Sequence, residues 1–444
     1  MVVTKSARKK MVIMKLKDPI RSGINGAVRI LQSGMVFSVK LMAITLDLAN
    51  GKKSINLPVR LRETFEELGA TYIKLGQFIA SAPSLFPKDY VEEMQKCLDS
   101  VRPVPFYEIK ETIEEELGGS LSDFFRHVDE EPIASASIAQ VHGATTRNGL
   151  DVVIKVQRKD IEDILGADMN LIYLATLLFN QISPGLSKSG IMDIVKDFYT
   201  SILMETDFIK EAENIELFDR HLQMTREDRA RVPRVYHHLS TKKVLTMERL
   251  YGVPLTDIKS IKKYSDDPRQ TLINALNIWF TSLGTTGVFH ADVHAGNLMV
   301  LTDGKIGFID FGIVGKISKE VWLGLLTFME GIESNNAELM AKGLIAMDST
   351  AKEIDERAFI RDLQRVFDEI NSIAFNMQSG VGMIDEDRLN RVMLDLSEVS
   401  RNNGLKIPRE FGLLIKQLLY FDRYVKALAP DIDLLRDQKM YIGQ

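Results

Sequence analysis

Asp292 and Asn297 stand five residues apart in His290-Ala-Asp-Val-His-Ala-Gly-Asn297, and Asp310 follows Asn297 by thirteen residues in Gly307-Phe-Ile-Asp-Phe-Gly312. A carboxylate, then an amide, then a second carboxylate at these intervals is the pattern of a catalytic loop joined to a metal clamp. Either half alone is a weak signal, since an Asp-Gly turn and an Asn cap between two strands would look similar. The chemistry that fits both together is phosphoryl transfer, where a protein mainly positions the reactants and neutralises phosphate charge. Magnesium takes hard oxygen ligands, keeps several waters and needs only a carboxylate or two, so Asn297 and Asp310 are the expected metal ligands. Asp292 is then the group that accepts the substrate proton or orients the nucleophile. His290 and His294 read as buried packing and hydrogen-bonding residues rather than bases.

Such residues need a frame, and the preceding sequence supplies one in order. Ile138–Thr145 and Asp151–Gln157 read as two strands joined around Asn148-Gly149, a hairpin turn signal, with Lys155 in the second strand. A long helical stretch is expected from Ile191 to about Arg220, carrying Glu205, Asp207 and Glu211, with Asp207 and Glu211 on one face at i, i+4. Strands around Val232–Tyr236 and Lys243–Met247 follow, and Met247-Glu248-Arg249-Leu250 leads through Gly252 towards helices. A strand lysine, a helix glutamate able to hold it against phosphates, and a strand running into a hinge all precede the catalytic loop. Lys155 with Glu211 is the expected pair, and Met247, Glu248 and Leu250 are the hinge positions that would meet a nucleotide.

Two parts of that frame are replaced. No Gly-x-Gly-x-x-Gly precedes Lys155; Ala134-Ser135-Ala136-Ser137 occupies the place of a phosphate loop. Small side chains still allow close approach, yet Ala and Ser restrict the backbone more than Gly, so a stiffer loop is expected. After Asp310, Gly312 to Trp322 runs straight into a helical pattern, with no Ala-Pro-Glu and no room for a peptide-docking activation segment.

The chain of 444 residues exceeds the size at which one core usually stops growing, so at least two lobes are expected. Its net charge of −5, from 56 basic and 61 acidic side chains, argues against a general nucleic-acid binder. Cys97, the single cysteine, excludes an intramolecular disulfide and a multi-cysteine zinc site, and fits a reducing compartment. The first seventeen residues hold six Lys/Arg and no acid but lack the apolar core of a secretory signal. The uncharged runs Met169–Ser187 and Thr271–Phe289 are broken by polar residues and read as buried core helices rather than membrane spans. Gly23–Leu48, apolar but interrupted by Arg29 and Lys40, reads either as a helix lying on an anionic membrane surface or as one packed on the protein. Residues 57–128 read as helices, and Pro408–Tyr420 as an amphipathic helix.

With these residues in place the sequence resembles the UbiB-like atypical kinases, a family tied to ubiquinone and other prenylquinone metabolism in bacteria, mitochondria and plastids, over roughly residues 55–345. Lys74-Leu-Gly-Gln77 is similar to the family's Lys-x-Gly-Gln motif, Glu205-Thr-Asp207 to its Glu-x-Asp motif, Ala134–Ser137 to its Ala-rich loop, and His290-Ala-Asp292 through Asn297 to its catalytic loop. Lys74 and Gln77 lie three apart on a helix and can reach acids such as Glu205 or Asp207. The resemblance implies an α+β, two-lobed protein-kinase-like fold with an N-terminal helical extension and a helical C-terminal region. The corresponding divisions are a basic amphipathic segment (1–50), the extension (51–130), a small lobe (131–250), a large lobe (251–345) and C-terminal helices (346–444).

It further implies an ATPase or small-molecule kinase using ATP or ADP with Mg2+. Lys74, Gln77, Glu205 and Asp207 would act as regulatory residues on an extension that covers the site where a protein substrate would dock. The expected partners are an isoprenoid lipid or quinone precursor, a peripheral membrane surface and a membrane-protein assembly. The expected compartment is a plastid or mitochondrion, the alternative being the cytoplasmic side of a bacterial inner membrane. Two other readings share the loop: a phosphotransferase of the choline or aminoglycoside kinase type, and a nucleotide-sensing scaffold with little turnover. The Ser135 departure from the Ala-rich loop leaves ATP and ADP both open.

Overall fold

A computed structural model describes residues 56–81, 88–94, 96–97, 102–182, 191–255, 257–293, 296–348 and 354–378, with further helical positions between 29 and 42 and between 392 and 421. His294 lies outside the described residues, as do the basic first seventeen.

The first sheet is antiparallel and runs β1 (Phe125–Val128), β3 (Ala139–Thr146), β4 (Asp151–Gln157), β6 (Val244–Glu248), with β2 (Ala134–Ser135) on the β3 side. Its hairpin turns where the sequence signals it: Gly149 takes φ +83°, the left-handed region in which glycine has no Cβ penalty. Alternation along β4 divides the labour. Val152, Ile154 and Val156 face a core shared with Ile109 and Ile113 of helix Phe106–Leu117, whereas Lys155 points to the other side. β1 corrects the helical reading of 57–128, because residues 125–128 pair with β3 as the outer strand of this sheet. The extended stretch after it also differs from expectation. Pro233 removes a ladder donor, and Val232–Tyr236 makes only an isolated bridge, Val235 to Met247, while the strand lies earlier at β5 (Ala230–Arg231).

The helical stretch expected from Ile191 to about Arg220 is divided into two helices. α1 (Ile191–Glu205) stops, and α2 (Phe208–Met224) begins with Asp207 as its N-cap, the carboxylate accepting from the Lys210 N–H at 3.4 Å. The groups exposed by the break are satisfied across the chain: Gln157 Nε2 donates to the Thr206 carbonyl at 2.8 Å and the Phe208 N–H to the Lys242 carbonyl at 3.1 Å. Asp207 is therefore a cap and not a face-sharing partner of Glu211, since local capping outcompetes an apolar pattern that continues across the junction.

The second lobe is built around helix α3 (Pro268–Thr286), N-capped by Asp267 and closed by Gly287 at φ +65°. It holds buried Leu272, Ala275, Leu276, Trp279 and Leu283, as expected for Thr271–Phe289. Over its described residues the other uncharged run is only partly buried. In helix Ile161–Ile182, Asp168 and Met169 are buried, but Leu174 and Leu177 are 56% and 38% exposed. None of the described helices is long and apolar enough to cross a membrane.

Two small sheets then bring the distant motif residues together. β9 (Leu298–Leu301) and β10 (Ile306–Phe308) pair with Phe308 opposite Leu298, which sets Asn297 beside Ile309 and Asp310. β8 (Val288–His290) pairs with β11 (Val314–Lys316), His290 opposite Val314, which closes the 292 loop over the 310 loop. Gly315 makes that pairing close. A Cβ there would lie 2.1 Å from the Phe289 ring, which is itself held edge-on against Trp279 at 5.7 Å. Gly315→Ala is expected to destabilise the chain by about 1–3 kcal/mol through overpacking of a ring that cannot yield. A urea midpoint equal to that of the unsubstituted chain would show the ring does yield.

Candidate active site

Lys155 Nζ lies 2.7 and 2.9 Å from the two Glu211 oxygens and 3.1 Å from Asp310 Oδ1, over the Phe208 ring at 5.3 Å. Three segments of the chain thus converge on one ammonium: β4, α2 and the loop after β10. Burial disfavours the charge on Lys155, but the neighbouring Asp310 and Glu211 outweigh it and raise its pKa above the ordinary lysine value. Burial pushes Glu211 up to about 7 against the pull of Lys155. For Asp310, burial is more than offset by Lys155 and by the Gly312 N–H, and its pKa is lowered below the usual carboxylate range.

Asp310 takes φ +57°, unusual for a residue other than glycine, with the Gly312 N–H donating to its Oδ1 at 3.3 Å. Such strain persists where the surroundings over-determine it. Here they do: the Ile309 N–H donates to the Asn297 carbonyl at 3.0 Å, and Asn214 Nδ2, one helical turn after Glu211 on α2, donates to the Phe311 carbonyl at 3.1 Å. α2 therefore holds both Lys155 and the loop that carries Asp310.

The Asp292 backbone is fixed with equal care. Its N–H donates to His290 Nδ1 at 3.1 Å, and its carbonyl accepts from Asn297 Nδ2 at 2.9 Å. His290 Nε2 donates to the Ile309 carbonyl at 3.0 Å, so the ring is a buried brace between the two loops, as its sequence position suggests. With its NH2 committed to the Asp292 carbonyl, the Asn297 side chain has its oxygen as the end that could take a metal. Asn297 and Asp310 give hard oxygen donors of mixed charge, which fits magnesium completed by waters and phosphates. Among the described residues no group of three or more His, Cys, Asp or Glu could hold a metal alone.

Ala134 and Ser135 form β2, and Ala136 and Ser137 follow it into β3. The loop is pinned by Arg158, a residue the sequence gives no reason to select. Its Nε donates to the Ala136 carbonyl at 3.0 Å, and Nη2 to Ser135 Oγ and to the Arg102 carbonyl, both at 3.0 Å. The Ser137 hydroxyl is buried without a hydrogen-bond partner. Of the hinge residues, Met247 is buried opposite Val153. Glu248 is tied by its carboxylate to Arg231 and to the Arg234 N–H, the latter at 3.3 Å, so it braces the hinge against β5. Leu250 lies just past β6, half-buried.

The helical extension reaches this site through Lys74, whose Nζ lies 2.6 Å from Glu205 Oε2. Burial works against the Lys74 charge, but Glu205, then Asp292 and Asp310, raise its pKa. Gln77 is half-buried one turn along the same helix, Ala70–Ser81. Gly76 between them lets the helix approach Cys97, since a Cβ there would sit 2.5 Å from the Cys97 sulfur. Asp207 faces elsewhere as the α2 cap, so Lys74 pairs with Glu205 and not with Asp207.

Glu211 sets a pH dependence. Its carboxylate form, which grips Lys155, is the form gained as pH rises through about 7. Turnover is expected to rise between about pH 6 and 8, and Glu211→Gln to lose that limb along with most of the rate. A wild-type profile flat across the interval would remove Glu211 from the titration.

The family model of the ABC1 atypical kinase-like domain matches residues 96–344. The chain is 50% identical over 403 residues to an uncharacterized aarF domain-containing protein kinase of Arabidopsis thaliana described as chloroplastic, covering 87% of this chain and 74% of that protein. It is 30% identical over 403 residues to a probable protein kinase UbiB of Actinobacillus pleuropneumoniae, covering 88% and 72%. A solved structure of a Mycobacterium tuberculosis protein in complex with erythromycin superimposes with TM-score 0.53 at 24% identity, covering 88% of this chain and 95% of that one, a likeness that concerns the fold alone. The architecture is thus the kinase-like α+β fold expected from the sequence.

Proposed function

The chain belongs to the ABC1 atypical kinase-like family, and from that premise we propose that it binds a magnesium-complexed ATP or ADP and transfers or releases a phosphoryl group in support of prenylquinone or isoprenoid-lipid metabolism at a membrane surface. The observation that carries this reading is the convergence of Lys155, Glu211 and Asp310 within 3.1 Å, beside an Asn297 bonded to the Asp292 backbone. Lys155, held by Glu211, orients the phosphates. Asp292 takes the proton of the attacking hydroxyl or water, and the Ala134–Ser137 loop closes over the phosphate chain. Asn297 and Asp310 would hold magnesium, which supplies neutralisation of phosphate charge when bound.

Lys74 reaches the site from helix Ala70–Ser81 through Glu205; we take this helix to cover the approach of a polypeptide, which favours a small-molecule or water acceptor over protein phosphorylation in trans. The test is equilibrium binding and phosphate release by the full chain with ATP or ADP and magnesium. Binding with phosphate release is the expected result, and a chain that binds neither nucleotide overturns the reading. Tight binding without phosphate release, even with lipid present, would favour the scaffold reading.

The membrane surface is argued from residues 29–42. Arg29 makes a bidentate pair with buried Asp168, at 2.8 and 3.0 Å, which also accepts from Ser33 and from Thr71 at 2.6 Å, and Lys40 pairs with Glu67 at 2.7 Å. Both charges that interrupt the apolar pattern therefore face the protein. Leu31, Met35 and Val39, at helical spacing on the other side, are 60–71% exposed. Preceded by six basic residues among the first seventeen, this face suits an anionic lipid surface. A plastid membrane is the favoured location, given the chloroplastic relative. Wild-type chain is expected to sediment with anionic vesicles, and Leu31→Glu with Val39→Glu to weaken that binding about tenfold or more. Equal binding of both proteins to anionic and zwitterionic vesicles overturns the membrane arm.

A further inference from the structure

We propose that Gln417 is a positioning residue for Asp292, an assignment that rests on the phosphoryl-transfer reading of the site. Gln417 is fully buried and lies 124 residues from the loop it touches. Its Nε2 donates to the Ala291 carbonyl at 2.6 Å, and its Oε1 accepts from the Val293 N–H at 2.8 Å. One amide side chain thus grips the peptide groups on both sides of Asp292. The orientation of that amide is fixed by its partners, because a carbonyl can only accept and a backbone N–H can only donate.

These two bonds complete a set. The Ala291 N–H donates to the Ile313 carbonyl at 3.1 Å, the Asp292 N–H to His290, and the Asp292 carbonyl accepts from Asn297. His290 is itself held through its carbonyl by Trp279 Nε1 at 2.8 Å. Without Gln417, the Ala291 carbonyl and the Val293 N–H would each lose a buried hydrogen bond, a loss that backbone groups offset by moving. The grip is neutral, so it sets where the Asp292 carboxylate sits without adding charge beside it. Gln417 can do this because its helix is anchored around it. Phe411, Leu414 and Phe421 are buried on the same face, with Phe421 against Trp279 at 5.3 Å and Phe411 against Phe328 at 5.6 Å. The residue lies outside the 96–344 stretch matched by the family model, so the C-terminal helices complete the catalytic loop from beyond the kinase-like domain.

The experiment uses the full chain with Gln417→Met, which keeps length and volume but loses both hydrogen bonds. The expected result is a fall in kcat of about 100-fold with nucleotide affinity within about threefold of wild type, the signature of a misplaced catalytic group. Wild-type kcat in the folded variant, or kcat and affinity falling together, overturns the proposal. Gln417→Glu provides the second arm if the methionine variant does not fold. As an ionised acid it can accept from Val293 but not donate to Ala291, so its activity relative to wild type at the same pH should recover towards low pH as the carboxyl protonates; a ratio that does not change with pH overturns the proposal. Hydrogen exchange separates this inference from the proposed function. Faster exchange at Val293 in Gln417→Met, with β4 unchanged, supports the grip even in a chain that turns over no nucleotide, and unchanged exchange there refutes it.

Discussion

Asp310→Asn is expected to lower magnesium-dependent nucleotide turnover about a thousandfold or more, the scale lost when a preorganised electrostatic group is removed. The substitution is chosen because it isolates charge. Asn tolerates the left-handed region, so the φ of +57° can persist, and its side-chain oxygen can still accept from the Gly312 N–H. What disappears is one of the two carboxylates facing Lys155 and the charged member of the proposed metal pair. Melting behaviour should therefore stay near wild type while phosphate release falls, and the residual rate should no longer respond to magnesium concentration. Full turnover in this variant would reject the assignment of Asp310 and, with it, the phosphoryl-transfer reading.

The place of Asp310 beside Asn297 was legible in the sequence because it is written locally. A short strand, a tight turn and a fixed interval are enough to place Asn297 and Asp310 on neighbouring loops, and β9 pairing with β10 does so. Lys155 and Glu211 lie 56 residues apart, and only their order relative to the Asp292 loop marks them as partners. Where local rules compete, the sequence misleads: the apolar pattern of 191–220 runs through Thr206-Asp207, and only the capping carboxylate and contacts from Gln157 and Lys242 end the helix. Where partners are remote, it is silent. Arg158 and Gln417 carry no motif, because an arginine after a strand and a glutamine in an amphipathic helix are ordinary until the fold brings a carbonyl to them. The two uncharged runs show the same limit. They match in length and hydropathy, but α3 is enclosed by the second lobe whereas helix Ile161–Ile182 keeps Leu174 and Leu177 outward.

Opposite effects from the two members of one ion pair give the sharpest test of the helical extension. Lys74 is paired with Glu205 at 2.6 Å and is also attracted by Asp292 and Asp310, so its ammonium belongs to the field of the cleft. A unit charge about 6 Å from a phosphate, at an effective dielectric near 20, interacts by about 3 kcal/mol, or roughly a hundredfold in affinity. Lys74→Met is accordingly expected to weaken nucleotide binding by about ten- to a hundredfold. The loss should be greater for uncomplexed nucleotide than for the magnesium complex, because the free polyphosphate carries more negative charge. Glu205→Gln leaves the ammonium without its counter-charge and is expected to tighten binding. Titrating ATP and ADP into each variant, with and without magnesium, reads both signs directly. If the two substitutions shift affinity in the same direction, the pair acts as a structural tie between helices, and the extension does not set the potential of the nucleotide site.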